Sequence, residues 1–352
     1  MFLALPSRNI SSRSGNRQQG AALVLALMVV VLVVLLATTL GNDFLVTLKR
    51  VENQLHSQQA FAYMRGAEGI ARQQLQLDFA DDEINGSKDH RSEGFNQRVE
   101  FPLEQGAIAG TLCDLQGRFN LNNLPGEATA PARYTVDQEM FIRLLQSLEL
   151  SSPIDQPQAE EITNAVVDWI DSNTQTRPNG GAEDSYYSGL ELPMRTGNQT
   201  LHSASELRWV KGINAEIYAA LEPHVTALPE VVLLNVNSAD ATVLRVINSS
   251  GDLSPLPEGE SIVEDRDGDF TDNPAAAKAG FDNVAAFVSA YPTAATLASY
   301  LAVSSHYFLL QTEAVFMDRQ YQLFSVLHRA NDGKVTTLAR GPDGFGRCPV
   351  EE

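Results

Sequence analysis

Residues 21–40 read AALVLALMVVVLVVLLATTL, twenty consecutive positions without a charged side chain. An apolar run of about 20 residues is long enough to cross a bilayer as a helix. Beyond it the pattern becomes periodic. Phe44, Leu48, Val51 and Leu55 recur at spacings of four, three and four, while Gln54, Gln58, Gln59, Arg65 and Arg72 face elsewhere; this predicts continued helix from 42 to about 77. Anchor and extension together give about 57 residues, or about 85 Å of helix. The stripe does not sustain strict heptads, so it is expected to pack on a headpiece rather than form a coiled-coil seam. Residues 78–94, with Asp81, Asp82, Asn85, Gly86 and Ser87, read as loop. Apolar and polar positions then alternate over 95–101 and 107–114, as in half-buried strands.

From 125 to about 291 the alternation gives way to helical faces, such as Met140, Leu144, Leu145 and Leu148, or Ile162, Val166, Trp169 and Ile170. Strand patterns return at 307–317, 320–329 and 335–340, with Asn331, Asp332 and Gly333 as a hairpin turn. The fold class expected is α+β: a long N-terminal transmembrane helix packed on an antiparallel sheet, interrupted by a large inserted all-α domain. The expected divisions are a leader at 1–20, the membrane helix at 21–41, helix continuation and first strands at 42–124, the insertion at 125–292, and the last strands at 293–352.

The leader carries Arg8, Arg13 and Arg17 and no acid, which holds it on the cytoplasmic side while the apolar segment inserts. A secretory signal would end in an A-x-A-like site after the apolar region, and none is evident. The small residue placed for processing is Gly20, which would leave Ala21 as the new N-terminus; an uncleaved signal anchor is the other reading. This architecture resembles the class III signal of type IV prepilins and type II secretion pseudopilins, which prepilin peptidase cleaves after a glycine and then N-methylates. Most members of that superfamily carry Glu as the fifth residue of the mature helix, where this chain has Leu25. A carboxylate inside a bilayer is costly without a partner, so a subunit lacking it has no neighbour to recruit there. Among pseudopilins that absence resembles the K component, which implies a place at the tip.

With 352 residues the chain exceeds one ordinary domain, and two globular units are expected beyond the anchor. The formal charge is −19, and removing the leader takes three of 25 basic residues and none of the 44 acids, leaving −22. Such a surface repels phosphate backbones and favours cations. Cys113 and Cys348 are the only cysteines; they read either as a disulfide tying the C-terminal tail to the body or as two thiols.

Two blocks carry family-level signals. Residues 114–124 read DLQGRFNLNNL, and the spacing resembles the D-x-x-G-R-F-N-L-N signature of the type II secretion K family. Gly117 permits a tight turn there, and Asn120 and Asn122 can bond backbone groups, a structural rather than a binding role. The second block runs from Asp168-Trp-Ile-Asp171-Ser-Asn173 through a Gly-rich loop to Glu183-Asp184-Ser-Tyr-Tyr187. Asp168 and Asp171 can project from one side of a helix end, and clustering them with Glu183 and Asp184 costs repulsion unless a cation neutralises them. Hard carboxylate and amide oxygens on a flexible loop suit Ca²⁺. A solvated acidic loop and a catalytic carboxylate pair are the alternatives, the latter without a supporting nucleophile. The K family carries D-W-[IL]-D-x-[DN] and G-A-E-D-x-x-Y here; the resemblance implies a structural calcium on Asp171, Asn173, Glu183 and Asp184, with Asp168 as a further ligand.

Three other features read as structural. The acidic run from Glu264 to Asp269 lacks the EF-hand positions of glycine and glutamate, with Ala276 at the twelfth place, and reads as a solvated loop between helices. Trp169 and Trp209 read as core packing. Ser205 to Ile213, and again Asn235 to Leu244, resemble helix-hairpin-helix units, which supports an alternative function as a membrane-tethered DNA receptor. Only Arg208 and Lys211 supply charge at that turn, too few to track phosphates, so no nucleic-acid partner is expected.

Taken together, the sequence is identified as a member of the minor pseudopilin K family. The resemblance implies a pilin-like headpiece and a non-enzymatic protein of the inner membrane of a Gram-negative bacterium, its bulk in the periplasm. Implied partners are I- and J-type minor pseudopilins in a tip complex, the major pseudopilin and prepilin peptidase, and the implied function is to initiate and cap the pseudopilus that exports folded proteins.

Overall fold

The computed structural model describes residues 18–85, 88–93, 96–104, 106–268, 278–317 and 319–349. The leader arginines, Gly86, Ser87, Phe95, Asp269 and Ala276 lie outside them. The chain divides into two compact units, Met1–Gln59 and Ala60–Glu352, so everything from Ala60 onward forms one unit rather than two. Helix α1 covers Gln18–Asn85.

Within the first unit α1 contains an 18-residue window of mean hydropathy 3.2, none of it buried. Its length and composition fit a membrane anchor. The hydroxyls of Thr38 and Thr39 donate to Leu35 O at 2.9 and 3.1 Å, so neither enters an apolar medium unsatisfied. Phe44, Leu48, Val51 and Leu55 are all exposed. The expectation that they form the packing stripe is therefore wrong.

In the second unit the buried positions of α1 are Ala60, Met64, Glu68, Ala71 and Leu75, spaced four, four, three and four. Small residues and one acid make up most of this face, which a search for large apolar side chains passes over. The helix also continues through Asn85, where a loop was expected from 78; Phe79 and Asp78 are held by the sheet side, with Arg329 Nη1 at 2.8 Å from Asp78 Oδ2 and the Phe79 ring against Gly333.

Five antiparallel strands form the sheet on which this face rests: β1 Arg98–Leu103, β2 Gly106–Asp114, β7 Tyr307–Phe316, β8 Arg319–Arg329 and β9 Val335–Gly341, in the order β1-β2-β7-β8-β9. Ala71 and Leu75 pack with Phe308, Leu310 and Leu327, and Ala60 and Met64 with Ile108, Ala314 and Leu323. The alternate residues of β7, Tyr307 and Leu309, point to the other face and pack with Leu115, Leu228, Phe324 and the bonded pair Cys113–Cys348. Because both faces are covered, β7 reads as a continuous apolar run over 307–310 rather than as an alternation. The turn at 330–334 closes as expected: Gly333 takes a positive φ of 77°, and Ala330 N donates to Lys334 O at 3.0 Å.

Between β2 and β7 the regular elements are mainly helices. It passes through β3 Phe119–Asn120, α2 Val136–Gln146, α3 Gln156–Ile170, α4 Asp184–Tyr187, α5 Ala215–Leu221, β4 Val225–Thr226, β5 Leu234–Asn235, α6 Ala241–Leu244, α7 Gly259–Asp267, α8 Val284–Ala290 and β6 Leu301–Ala302. Two short parallel pairs, β3 with β4 and β5 with β6, punctuate the helices. Thr135 and Gln138 form a reciprocal capping box at the start of α2, and one apolar core runs through the whole stretch.

The helix-hairpin-helix reading is not confirmed. The first candidate is a 3-10 turn, Ala204–Trp209, joined through Gly212 to the seven-residue α5, and the second opens on the two-residue β5. Trp169 is buried, whereas Trp209 is 58% exposed, so the core role expected for Trp209 fails. The run from Glu264 is the end of α7 rather than a solvated loop; Asp267 is buried and pairs with Arg266 at 2.5 Å.

Candidate functional site

The 114–124 block is a backbone clasp. Asn120 accepts from Leu228 N at 2.9 Å and donates to Glu230 O at 2.9 Å, and Asn122 exchanges bonds with Leu201 N and O at 2.8 and 3.0 Å. Asn123 adds Val232 O at 2.8 Å. A side-chain amide carries both a donor and an acceptor, so each asparagine pairs with backbone as another strand would. Gly117 is required for a different reason: a Cβ there would lie 2.7 Å from the carbonyl carbon and oxygen of Ser238.

The acidic loop begins where α3 ends. Asp168 lies in the last turn and is fully buried; Asp171 caps the helix through its N–H to Val167 O at 2.8 Å. The loop then folds back, with Arg177 N donating to Asp168 Oδ2 at 3.1 Å and Asn164 Nδ2 to Asn179 O at 2.9 Å. Gly181 makes this approach possible, since a Cβ there would come within 2.5 Å of Asp168 Oδ2. Glu183, buried, occupies the N-cap position of α4 without capping it through its side chain.

The five expected ligands are not equivalent. Asp171 Oδ1 accepts from Asn173 N and Nδ2 at 3.0 and 2.7 Å, and Asn173 Oδ1 accepts from Gln175 N at 2.7 Å. Asp184 Oδ1 accepts from Thr196 N and Oγ1, both at 3.0 Å. Asp171 Oδ2 and Glu183 Oε1 are buried without any hydrogen-bond partner. Burial first, then the amide of Arg177 and the charge of Asp171 acting in opposite directions, leave the Asp168 carboxyl pushed up to about 6. Glu183 is raised by burial and next by Asp168, and Asp171 is raised by burial. Three carboxylates thus share one poorly solvated region, and the arrangement offers Asp168, Asp171 and Glu183 inward while Asn173 and Asp184 are largely engaged elsewhere.

Sequence reasoning missed two neighbours. Thr196 ties Glu183 to Asp184, at 3.3 and 3.0 Å. Asn198, with φ of 45°, donates its N–H to Trp169 O at 3.0 Å and leaves a buried Oδ1 without a partner. Asn in a left-handed conformation is a local signal, but nothing in the spacing links it to residues thirty positions earlier. Orphaned hard oxygens from Asp171, Glu183 and Asn198 fit a Ca²⁺ donor set in kind. In spacing the acids remain spread: among the described residues the trio with ligand atoms mutually within 4.8 Å is Asp78, Asp89 and Glu93. Arg329 already pairs with two of that trio, at 2.8 Å from Asp78 and 2.6 Å from Asp89, and Glu93 lies 2.9 Å from His90 Nε2.

An apolar N-terminal helix that continues into a buried face on an antiparallel sheet defines a pilin-like protein. A family model described as type II secretion system (T2SS), protein K, matches residues 117–230, spanning the asparagine clasp and the acidic loop. Type II secretion system protein K of Aeromonas hydrophila is 32% identical, covering 93% of this chain and 98% of that protein; the protein of the same name from Pseudomonas aeruginosa is 31% identical, covering 95% of each. Among solved structures, the GspK-GspI-GspJ complex of the enterotoxigenic Escherichia coli type 2 secretion system matches with a TM-score of 0.67 at 27% identity, over 84% of this chain and 99% of that one. The chain belongs to the type II secretion system protein K family.

Proposed function

We propose that the protein is a minor pseudopilin that begins and caps the type II secretion pseudopilus, in complex with I- and J-type minor pseudopilins. The observation that carries this reading is the match of 84% of this chain to 99% of a chain from the GspK-GspI-GspJ complex. The exposed stripe of Phe44, Leu48, Val51 and Leu55 supplies an apolar face for neighbouring pilin-like helices. The role is structural and needs no catalytic group.

Residues 21–41 would anchor the protein in the inner membrane after cleavage behind Gly20 and methylation of Ala21, with the rest in the periplasm. The Cys113–Cys348 disulfide suits that oxidising compartment. Leu25 in place of an acid suits a subunit with no further subunit above it, and the bulk of an inserted helical domain, residues 125–292, would obstruct a subunit stacked there. In the acidic loop a bound Ca²⁺ would be held by Asp168, Asp171 and Glu183, with Asn173 and Asp184 completing the set after local rearrangement; it would supply the positive charge that lets these carboxylates stay ionised together.

A DNA-receptor role finds no support in the comparisons. Lys211 donates to Gly180 O at 3.0 Å and lies over the Tyr186 ring, and Arg208 lies over Tyr218, so the basic residues of the supposed phosphate turn are engaged within the fold. Co-expression with the I- and J-type minor pseudopilins of the same system, followed by size-exclusion chromatography, tests the reading. Co-elution of all three is expected, and elution of this chain apart from both would contradict it. Leu25→Glu is expected to leave secretion intact; its complete loss would count against the tip position.

A further inference from the structure

Four arginines are buried among the described residues, and three are saturated. Arg143 donates to the carbonyls of Val246, Ser249 and Asp252 and faces Glu139. Arg266 grips Asp267 through Nε and Nη2, and Arg329 lies between Asp78 and Asp89. Arg118 is the exception. It is 5% exposed, its Nη2 donates to Arg347 O, its Nη1 has no partner, and none of the ion pairs among the described residues includes it. An unpaired guanidinium held away from water is costly, and burial lowers its pKa.

Arg118 lines a cavity of about 310 Å³ together with Asn96, Asp114, Glu222, Pro223 and Asp240. Asn96, buried and held at φ of 66°, presents an Oδ1 that is also without a partner. Two residues that each carry an orphaned polar atom, a cationic donor on one and a carbonyl acceptor on the other, thus line one space. Two acids in its wall are committed: Asp114 accepts from Gln116 N at 2.7 Å and Ser305 Oγ at 2.6 Å, and Asp240 pairs with His224 at 2.7 Å and caps α6 through Val243 N.

We propose that this cavity binds a monocarboxylate with an adjacent N–H, the chemistry of a peptide's C-terminal residue or of a free N-acyl amino acid, Arg118 holding the carboxylate and Asn96 accepting from the N–H. The planar guanidinium matches a carboxylate in charge and geometry. A doubly charged phosphate is disfavoured, because Asp114, Glu222 and Asp240 share the wall. The volume lies at the small end of ligand sites, enough for one terminal residue.

The test is ligand-observed saturation-transfer NMR and titration on the full-length protein in detergent, with N-acetylglycine as probe and N-acetylglycinamide and inorganic phosphate as controls. Wild type is expected to bind N-acetylglycine at millimolar concentration and neither control. Arg118→Gln is expected to weaken binding by about tenfold or more. Because that variant also removes a buried charge, Pro223→Trp provides an independent check: it fills the cavity from an exposed wall position without touching Arg118, and is expected to abolish binding. Tighter binding of an N-acetylated tripeptide with a free C-terminus points to a chain end as the source, and weaker binding to a free small molecule; both support the site. No binding by wild type, phosphate binding as tight as N-acetylglycine, or unchanged binding in Arg118→Gln overturns it.

Discussion

The Glu68 carboxylate on α1 meets Arg340 on β9 at 2.6 Å to Nε and 2.8 Å to Nη2. Thr337 Oγ1 at 2.7 Å and Ser325 Oγ at 3.1 Å complete its shell. An acid among the apolar and small residues of this face therefore ties the helix to the last two strands, alongside the Asp78–Arg329 pair further along α1.

That lock titrates. Bonding to Arg340, against the opposing effect of burial, holds the Glu68 carboxyl at about 2, below its ordinary 4.5. A folded pKa below the unfolded one gives stability that is complete above pH 4.5 and is lost as pH falls from there toward 2. Arg340 is half-exposed, so Glu68→Gln is expected to cost about 1–2 kcal/mol at pH 7 and to flatten the acid limb of a Tm-versus-pH series. An acid limb identical to wild type would contradict the assignment.

Calcium is checked through the orphaned oxygens. Adding Ca²⁺ to chelator-treated protein is expected to raise Tm, with a dependence on concentration that follows site occupancy. The Asp171→Asn, Glu183→Gln double variant is expected to lose that response while keeping, or gaining, stability in chelator, because two raised carboxylates are removed. A wild-type Tm indifferent to both chelator and calcium contradicts the site.

The disulfide closes a loop of 235 residues between β2 and the C-terminal tail. Cys348→Ser is expected to cost about 2–4 kcal/mol, read by denaturant midpoint, and a non-reduced digest should recover the two cysteine peptides linked. Equal midpoints for variant and wild type would show that the tail is held by packing alone.

Much of the sheet could be read directly. The alternation at 107–114, the strand patterns at 307–317 and 320–329 and the Asn-Asp-Gly turn reappear as β2, β7, β8 and the hairpin, because strand period and turn chemistry are local. The packing face of α1 could not be read, since Ala60, Ala71 and Glu68 advertise nothing until a sheet lies opposite them, while the conspicuous stripe of Phe44, Leu48, Val51 and Leu55 is exposed. In the acidic loop, Asp168, Asp171 and Glu183 were visible as residues and as a motif. Their unequal roles were not, because the hydrogen bonds that engage Asn173 and Asp184 depend on how the loop folds back to Thr196. Asn198 and the unpaired Arg118 are products of tertiary proximity alone.

The central claim is a pilin-like anchor that is trimmed and then assembled, and the intact mass of the membrane-extracted native protein tests it most directly. The account predicts a polypeptide beginning at Ala21 with one added methyl group; a mass that retains Met1 and the basic leader would contradict it.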